Sequence, residues 1–430
     1  MLSVRYIFRL IQAFVNKFKA IIVVSVGVGI AFFILLNFFV PAINSTTVKI
    51  GMVGRFTTNT LPEKITGKIS RGLTRVEADG NVVPDTAQSW ETSDGGKTWT
   101  FKLRANVKWQ DDKDLIAQDI NYEFSDATIQ VLNEKEIKFN LQSNFSAFPI
   151  ILSKPIFKKG LLGLGDYKVQ NISLVGGNVQ KLTIKNKQKD KIIYKFYPTE
   201  ERLKLALKLG EVDMIEGLQD LDEFTSWKTL HINKDIGYNN FVAIFFNTES
   251  EKFKDKTIRQ ALSYALDKET FSEVRAISSI SPYSWAYNPQ VKKYLIDNEK
   301  AKDAKDISVK ISTLPNLLGT AEKVARQWKE IGVNTEIEVT PNIPQDFDVF
   351  LATVDTPKDP DQYSLWHSTQ EGTNISKYKN ARIDKLLEDG RTELDTETRK
   401  KIYLDFQRFI VEDVPAIFLY HPIFYTVSRK

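Results

Sequence analysis

Residues 240–266 read NFVAIFFNTESEKFKDKTIRQALSYAL, and this stretch decides the fold class. Its first eight residues are an apolar run flanked by asparagines, the pattern of a strand that is buried on both faces. Asp255 or Lys256 then begins a helix, and its inward positions are Ile258, Ala261, Leu262, Ala265 and Leu266. A buried strand that is followed by an amphipathic helix indicates an α/β protein, in which helices cover a sheet.

The alternation of strands and helices continues on both sides of this stretch. Thr199 is the predicted N-cap of one further helix, and Gly210 and Gly332 are predicted helix stops. The further predicted elements are helices over 199–210 and 321–331, a long helix capped by Asp395, and strands over 48–53, 97–103, 212–215, 333–339, 347–354 and 416–427. The predicted fold class is therefore α/β, with sheets covered by helices.

Length and composition describe a folded protein of several units. The chain has 430 residues, which at about 150 residues per domain suggests two or three compact units. Hydrophobic residues make up 42% and charged residues 26%, which is typical of globular proteins. Cysteine is absent, and this excludes disulfides, thiolate metal sites, cysteine nucleophiles and a lipid-modified N-terminal cysteine.

The net charge of +5 comes mostly from the N-terminus. Of the 59 basic residues, four lie in the first 19 positions: Arg5, Arg9, Lys17 and Lys19. The remaining 55 face 54 acidic residues, so the rest of the chain is nearly neutral. Nothing in this balance points to nucleic acid as a partner.

The N-terminus carries a candidate membrane anchor. Residues 20–40, AIIVVSVGVGIAFFILLNFFV, contain no charge, and a helix of this length spans about 30 Å. Residues 1–19 are predicted to form a cytoplasmic amphipathic segment that leads into this transmembrane helix. The basic flank precedes the span, so the positive-inside rule places the body outside the cytoplasm. A long signal sequence that is cleaved near Ala42 is the alternative.

Five segments in order resemble the family-5 extracellular solute-binding proteins, the peptide-binding components of ABC importers. The first holds PDTAQSW (84–90) and DGGKTWTFKLRANVKW (94–109). The later ones are LALKLGEVDMIEGL (205–218), FVAIFFNTES with IRQALSYALDKETF (241–271), ARQWKEIGVNTEI (325–337) and DPDQYSLWHST with NISKYKNARIDKLLEDGR (359–391). The resemblance covers about 48–430. It implies that 84–90 is helical.

The resemblance also implies a two-lobed, periplasmic-binding-protein-like fold of type II with an extra small subdomain. Lobe I would comprise 46–70, 160–238 and 412–430, with the small subdomain at 71–159, and lobe II would comprise 239–411. The implied function is to capture peptides between the lobes and deliver them to the permease, as a monomer without a cofactor. The alternatives are a non-peptide solute, such as a nickel chelate, an oligosaccharide or haem, and a membrane-anchored sensor.

Several residues are candidates for holding a peptide ligand. The family pattern D-x-x-D-P-D places an aspartate at the ligand ammonium, and Asp355 matches it, although its spacing to 359–361 is one residue too long. Asp361 is the second candidate, unless Asp359 and Asp361 only form a turn around Pro360. The other candidate ligand-binding residues are Trp366, His367, Asn247, Tyr283, Trp285 and Tyr287. Arg104 and Arg259 are expected to be structural ion-pair partners.

The sequence does not favour an enzyme. No G-x-S-x-G or H-E-x-x-H motif is present, and the three histidines, His231, His367 and His421, are scattered. We therefore expect neither catalysis nor a bound metal.

Two departures from the family pattern stand out. Asp111 and Asp112 stand where the family has Asp-Gly, so this turn is expected to differ. The segment 122–160 is short, which predicts a more open cleft with loose side-chain selection.

Overall fold

The computed structural model describes residues 4–43 and 46–430. The strands are β1 (Thr47–Val53), β2 (Thr74–Val76), β3 (Val82–Pro84), β4 (Ala87–Glu91), β5 (Thr98–Leu103), β6 (Ala127–Asn133), β7 (Glu136–Leu141), β8 (Lys168–Val175), β9 (Asn178–Lys185), β10 (Lys191–Tyr197), β11 (Met214–Leu218), β12 (Leu230–Ile236), β13 (Asn240–Phe246), β14 (Ser308–Thr313), β15 (Asn334–Val339), β16 (Val349–Asp355), β17 (Ala416–Tyr420) and β18 (Ile423–Arg429). The helices are α1 (Val4–Ile43), α2 (Glu63–Ile69), α3 (Phe148–Ile151), α4 (Glu200–Lys208), α5 (Lys256–Tyr264), α6 (Asn298–Ala301), α7 (Leu318–Glu330), α8 (Tyr363–Trp366), α9 (Ala381–Thr392) and α10 (Thr396–Asp413).

Helix α1 contains the predicted transmembrane segment 20–40. Part of that segment, 34–40, and residues 1–11 lie outside the residues whose side chains the structure describes. In the described part, no single helix has both the length and the apolarity of a membrane span. Phe14–Ile21 and Val23–Phe33, which meet at an angle of 47°, reach that length and composition only as a bent pair.

A seven-stranded mixed sheet has the order β12-β18-β11-β1-β10-β9-β8. Strand β1 runs parallel to β10 and β11, and the other neighbours are antiparallel. Helix α4 packs on β1 at Gly51, where a side chain would collide with Leu203. Thr199 caps this helix by accepting from the Arg202 N–H at 3.4 Å, and Gly210 has a φ of +75° after its end. These last two observations confirm the predicted cap and stop.

A five-stranded mixed sheet has the order β15-β14-β16-β13-β17. Residues 241–246 of β13 are all buried, as the apolar run predicts. Asp255 caps α5 by accepting from the Thr257 N–H at 2.8 Å. Helices α5, α7 and α10 bury their apolar residues in one large core with this sheet. The fold is thus mixed α/β, as the alternation of elements predicts.

A smaller four-stranded antiparallel sheet has the order β4-β5-β7-β6. Trp99, Phe101 and Leu103 of β5 point into its core, which confirms their predicted alternation. The expectation that 84–90 is helical is wrong, because residues 87–91 form β4. Trp90 lies opposite Phe101 in the ladder, and their rings stack at 5.7 Å. Pairing with β5 therefore gives these residues a strand conformation instead of the helix that the resemblance implied.

The chain passes twice between the two large sheets, and the two crossings lie side by side. It leaves β12 for β13 through 237–239, and it returns from β17 to β18 through His421 and Pro422. The Gly237 N–H donates to the Pro422 carbonyl at 2.8 Å, and the His421 Nδ1 lies 2.7 Å from the Asn240 carbonyl oxygen. The return lies at 421–422 instead of the expected boundary at 412, because β17 pairs with β13 and fills the core of the five-stranded sheet.

The sheets have separate hydrophobic cores. One core lies with the five-stranded sheet and one with the four-stranded sheet, while two smaller cores lie with the seven-stranded sheet. Each sheet therefore buries apolar residues in cores of its own, and the crossings join units that do not share a hydrophobic core.

The two arginines expected to form ion pairs act differently. Arg259 is buried, and its guanidinium donates to the main-chain oxygens of Phe253, Asp413 and Val414. Arg104 is exposed, and its Nε donates to the Asp85 carbonyl at 2.6 Å. Main-chain carbonyls at chain turns thus take the place of the expected carboxylates.

The turn at Asp111 and Asp112 keeps the shape that the family's glycine would allow. Asp112 has a φ of +66°, and its N–H donates to the Trp109 carbonyl at 2.9 Å. Aspartate tolerates this left-handed conformation better than most side chains.

Candidate functional site

A cavity of about 200 Å³ lies beside the two chain crossings, between the β2–β3 hairpin and the loops of the five-stranded sheet. The hairpin contributes Val76, Glu77, Ala78 and Gly80. The opposite wall consists of Asn239, Ser281, Tyr283, Ser284, Pro357 and Lys358. The expected open cleft is therefore narrow here, because the hairpin reaches across to the opposite wall.

The hairpin tip contacts the opposite wall directly. The Trp285 N–H donates to the Asp79 carbonyl at 3.0 Å, and Lys358 forms an ion pair with Glu63 of α2. Gly80 has a φ of +86°, and a Cβ there would lie 3.2 Å from the Lys358 carbonyl oxygen. Both the backbone conformation and the close approach thus favour glycine at this position. The two sides touch through few, mostly polar contacts.

Aromatic rings gather around the crossings. Tyr283 lines the cavity, is 60% exposed, and contacts the Tyr238 ring edge-on at 4.7 Å. The Tyr238 ring lies 5.3 Å from the His421 ring. Burial lowers the pKa of His421, which favours its neutral form in the crossing. Tyr283 is thus a predicted residue at the cavity, whereas Tyr238 was missed.

The two other members of the predicted aromatic loop lie further back. Trp285 is half-buried, and its ring contacts the Tyr403 ring edge-on at 6.3 Å. Tyr287 is half-buried as well, and burial raises the pKa of its hydroxyl. Neither side chain lines the cavity, although the Trp285 main chain holds the hairpin tip.

Two of the three aspartates in 355–361 are neutralised by arginines. Asp359 is buried and accepts two hydrogen bonds from the Arg399 guanidinium. Asp361 Oδ2 lies 3.1 Å from Arg391 Nε. Burial raises the pKa of Asp361, and the charge of Arg391 partly opposes this shift. These two carboxylates are therefore already paired with arginines of the same chain.

Asp355 differs from both. Asp355 is the last residue of β16 and is exposed. It pairs with Asn240 in the ladder, and its carboxylate accepts a hydrogen bond from the Asn240 side-chain amide. Among the described residues, no lysine or arginine lies within ion-pair distance of it. The next N–H, of Thr356, donates to the carbonyl of Asn239, a cavity residue, at 2.7 Å. Within the described part of the chain, Asp355 thus has a carboxylate without a cationic partner, and the residue after it is hydrogen-bonded to the cavity wall.

Three predicted ligand residues lie in the core instead of the cavity. Trp366 is 1% exposed and its ring stacks on Phe245 at 6.0 Å. The buried His367 stacks on Tyr363 at 4.0 Å. The Asn247 side-chain amide donates to the Phe347 carbonyl at 3.1 Å. Helix α8 and the end of β13 turn these side chains inward, so packing accounts for them.

The expected lobe boundaries included one between 238 and 239, beside the first crossing, whereas the sequence reasoning missed the contact of the hairpin with the opposite wall. Asn239 and Lys358 line the cavity, as do four residues of the hairpin. The Asp79-Gly80 pair was a usable turn signal, but nothing local shows which surface the hairpin meets. Among the described residues, no group of three or more His, Asp or Glu side chains is placed to hold a metal ion.

The chain is similar to known solute-binding proteins along most of its length. The family model described as bacterial extracellular solute-binding proteins, family 5 Middle, matches residues 81–375. The oligopeptide-binding protein AppA of Bacillus subtilis is 27% identical over 438 residues, which cover 81% of this chain and 80% of that protein.

Two solved structures share the fold. AppA of Bacillus subtilis in complex with a nonapeptide has a TM-score of 0.70 at 24% identity, with 90% of this chain and 95% of that chain covered. NikZ of Campylobacter jejuni in complex with Ni(L-His) has a TM-score of 0.74 at 24% identity, with 89% of this chain and 94% of that chain covered.

Proposed function

Because this chain belongs to the family-5 bacterial extracellular solute-binding proteins, we propose that it captures peptides in the cavity beside its two chain crossings and delivers them to an ABC importer. It binds the peptide without changing it chemically and uses no cofactor. The observation that carries the proposal is the cavity itself, which lies between units with separate cores and next to the crossings that join them.

The division into lobes follows the sheets. Lobe I comprises the seven-stranded sheet with the four-stranded sheet as its small subdomain, and lobe II comprises the five-stranded sheet. The crossings at 237–239 and 421–422 act as the hinge. Besides the crossings, the units meet at scattered, mostly polar points, such as Lys358 with Glu63 and the Ser146 N–H with the Arg391 carbonyl at 2.8 Å. These contacts break when the lobes rotate apart to admit a ligand and form again when they close over it.

Asp355 is the residue we assign to the peptide ammonium. A buried ammonium needs an anionic partner, and the neighbouring Asp359 and Asp361 are occupied by arginines. Tyr283 lines the cavity and supplies apolar ring surface for a ligand side chain, and the Tyr238 ring supports it edge-on. At about 200 Å³ the cavity is smaller than a typical ligand pocket, so longer peptides require the lobes to part.

The protein works at the outer side of the cell membrane. The extracellular family and the uncharged stretch 20–40 support a body outside the cytoplasm that is held by its N-terminal helix, with the permease as its partner. We propose that the protein acts as a monomer, since one chain supplies both walls of the cavity.

The decisive test is the identity of the bound solute. The full chain is purified from detergent-solubilised membranes without added ligand, and the solute released on denaturation is identified by mass spectrometry. We expect a mixture of peptides. A nickel chelate, haem or an oligosaccharide would replace the peptide proposal with that solute class, and a binding titration with the same compound would confirm the replacement.

A second measurement tests how the peptide is held. Peptides with a free ammonium should bind more tightly than their N-acetylated forms, because acetylation removes the charge that Asp355 pairs with. Equal affinity for both forms would show that Asp355 does not bind the peptide ammonium.

A further inference from the structure

One half of the seven-stranded sheet carries seven lysines against one acidic residue, Asp190, whose carboxylate accepts hydrogen bonds from Thr46. Strands β8, β9 and β10 contain five lysines and no acidic residue. We call these five lysines and the two in the turn between β9 and β10 the lysine face. Its residues are Lys168, Lys181, Lys185, Lys187, Lys189, Lys191 and Lys195. Apart from these seven lysines and the four basic residues of the first 19 positions, 48 basic residues face 54 acidic ones, so the positive charge is segregated to this region.

The strand lysines stand side by side. Lys168 pairs with Lys185, Lys185 with Lys191, and Lys181 with Lys195 in the antiparallel ladders. Residues directly opposite each other point to the same side of a sheet, and like charges in such positions destabilise it. Among the described residues, none of the seven lysines has a carboxylate within ion-pair distance. An anionic surface placed against these lysines would offset their mutual repulsion more strongly than dissolved salt ions do.

The lysine face lies where the N-terminal helix joins the body. Lys191 N–H donates to the Thr46 carbonyl at 2.8 Å, and Thr47 lies beside Lys191 in the sheet. Helix α1 ends at Ile43, three Cα steps before Thr46, so at most about 11 Å separates the two Cα atoms. Thr46 is held in place by two hydrogen bonds to Asp190, each 2.9 Å long.

We propose that the lysine face binds anionic lipid headgroups of the membrane in which the N-terminal helix is anchored, and so sets the orientation of the body on that membrane. This inference rests on the membrane attachment in the proposed function. The partner is the anionic lipid surface itself. Thr46 is hydrogen-bonded to the lysine face and lies three residues after the end of the anchoring helix, so the lysine face stays close to the membrane whatever else the body contacts.

The test uses the full chain in vesicles of phosphatidylcholine, with and without phosphatidylglycerol. Because the chain has no cysteine, Gln188→Cys places a single donor dye in the exposed turn of the lysine face. Acceptor dyes on lipid headgroups then report its distance from the membrane. Val175→Cys, at the far end of β8, serves as the distant label, about 20 Å or more along the strand.

Because the anchor alone keeps Gln188 near the bilayer, we expect basal energy transfer in both kinds of vesicle. Phosphatidylglycerol should raise the transfer from Gln188→Cys relative to Val175→Cys, and about 1 M salt, which screens charge interactions, should abolish this rise. Replacing Lys168, Lys185, Lys187 and Lys191 by glutamine should lower the docked population at least about tenfold. The matched control replaces Lys305, Lys323, Arg326 and Lys329, exposed residues of lobe II, by glutamine and should retain docking.

Three results overturn the inference. A ratio of transfer from the two labels that does not depend on lipid charge would show that the anchor alone, and not anionic headgroups, positions the body. An equal loss in both quadruple variants would show a non-specific effect of net charge. A chain that fails to float with vesicles of either composition would refute the membrane attachment as well, whereas peptide binding, measured on the same samples, tests the rest of the proposed function separately.

Discussion

At the scale of single residues, the arrangement of aspartates decides what the site can bind. Asp359 and Asp361 are matched by Arg399 and Arg391, so their charges are already compensated. Asp355 has the Asn240 amide as its side-chain partner, and the next residue, Thr356, is hydrogen-bonded to Asn239 of the cavity wall. A carboxylate without a cation is suited to recognising an ammonium group.

The Asp355→Asn variant tests this assignment. It should weaken the binding of peptides with a free ammonium by about tenfold to a hundredfold, because a hydrogen bond to a charged group contributes about 1.5–3 kcal/mol. Binding of N-acetylated peptides should change little. Isothermal titration calorimetry measures both. The control, Asp361→Asn, should lower thermal stability through the unpaired Arg391 without this discrimination.

Lys268 predicts a pH dependence of stability. Its ammonium donates to the main-chain oxygens of Ser263, Leu266 and Tyr294 at 2.5, 3.3 and 2.8 Å. Burial lowers the pKa of Lys268 to about 7, against 10.5 in the unfolded chain. Between pH 7 and about 10.5 the folded state has released this proton and the unfolded state has not. This group therefore makes the free energy of unfolding rise with pH, by up to about 1.4 kcal/mol per pH unit.

Urea unfolding from pH 6 to pH 9 measures this slope. Below pH 7 both states are protonated, so Lys268 contributes no slope there. The Lys268→Met variant should lack the rise that the natural chain shows above pH 7. An identical pH profile for the two proteins would contradict the buried, deprotonating amine. Lys305→Met, which changes an exposed lysine, should keep the natural profile.

At the scale of secondary-structure elements, the β2–β3 hairpin acts as the cover of the cavity. Its tip at Asp79 and Gly80 meets the main chain at Trp285 and Lys358, and it lines one wall. The hairpin has only three residues in each strand, so its position depends on these contacts. Its fit against lobe II therefore controls how well the lobes close.

The Gly80→Ala variant should weaken lobe closure. Alanine at a φ of +86° costs about 1–3 kcal/mol, and its Cβ would lie 3.2 Å from the Lys358 carbonyl oxygen. Gly160→Ala is the matched control, since Gly160 has a φ of +79° and nothing within 4 Å of its Cβ position. Both variants should lose similar thermal stability, but only Gly80→Ala should also bind peptide more weakly. Equal peptide affinity in both variants would exclude the hairpin from ligand binding.

At the scale of the whole molecule, the proposed hinge between two lobes would give the bound state a shape that differs from the free state. Lys358 of lobe II and Glu63 of lobe I pair across the entrance. Peptide enclosed by the two walls stabilises the closed arrangement, and a permease senses that arrangement. The lysine face then sets which side of the body faces the membrane.

A disulfide across the entrance tests the hinge. In the Glu63→Cys/Lys358→Cys variant, oxidation should slow peptide exchange at least about tenfold, because ligand cannot pass closed lobes, and reduction should restore it. Stopped-flow displacement of a fluorescent peptide gives the rate. The control, Lys64→Cys/Glu216→Cys, replaces an ion pair within lobe I and should exchange peptide at the natural rate when oxidised. Unchanged exchange in the cross-entrance variant would show that this entrance does not open.

The sequence by itself determined the elements whose signals are local. Periodicity located β13 and β5, and Thr199 and Asp255 cap the helices that they were predicted to begin. The order of five segments also indicated the family. These features depend on residues that lie within one helical turn or one strand of each other, so no knowledge of distant contacts is needed.

Only the tertiary structure decided which predicted ligand residues reach the cavity. Asp359 is neutralised by an arginine 40 positions away and Asp361 by one 30 positions away, while Trp366 and His367 turn into the core. Residues 87–91 became a strand because β5 pairs with them. In each case the outcome is set by charge or packing between segments far apart in the chain, and such partners leave no trace in the local pattern.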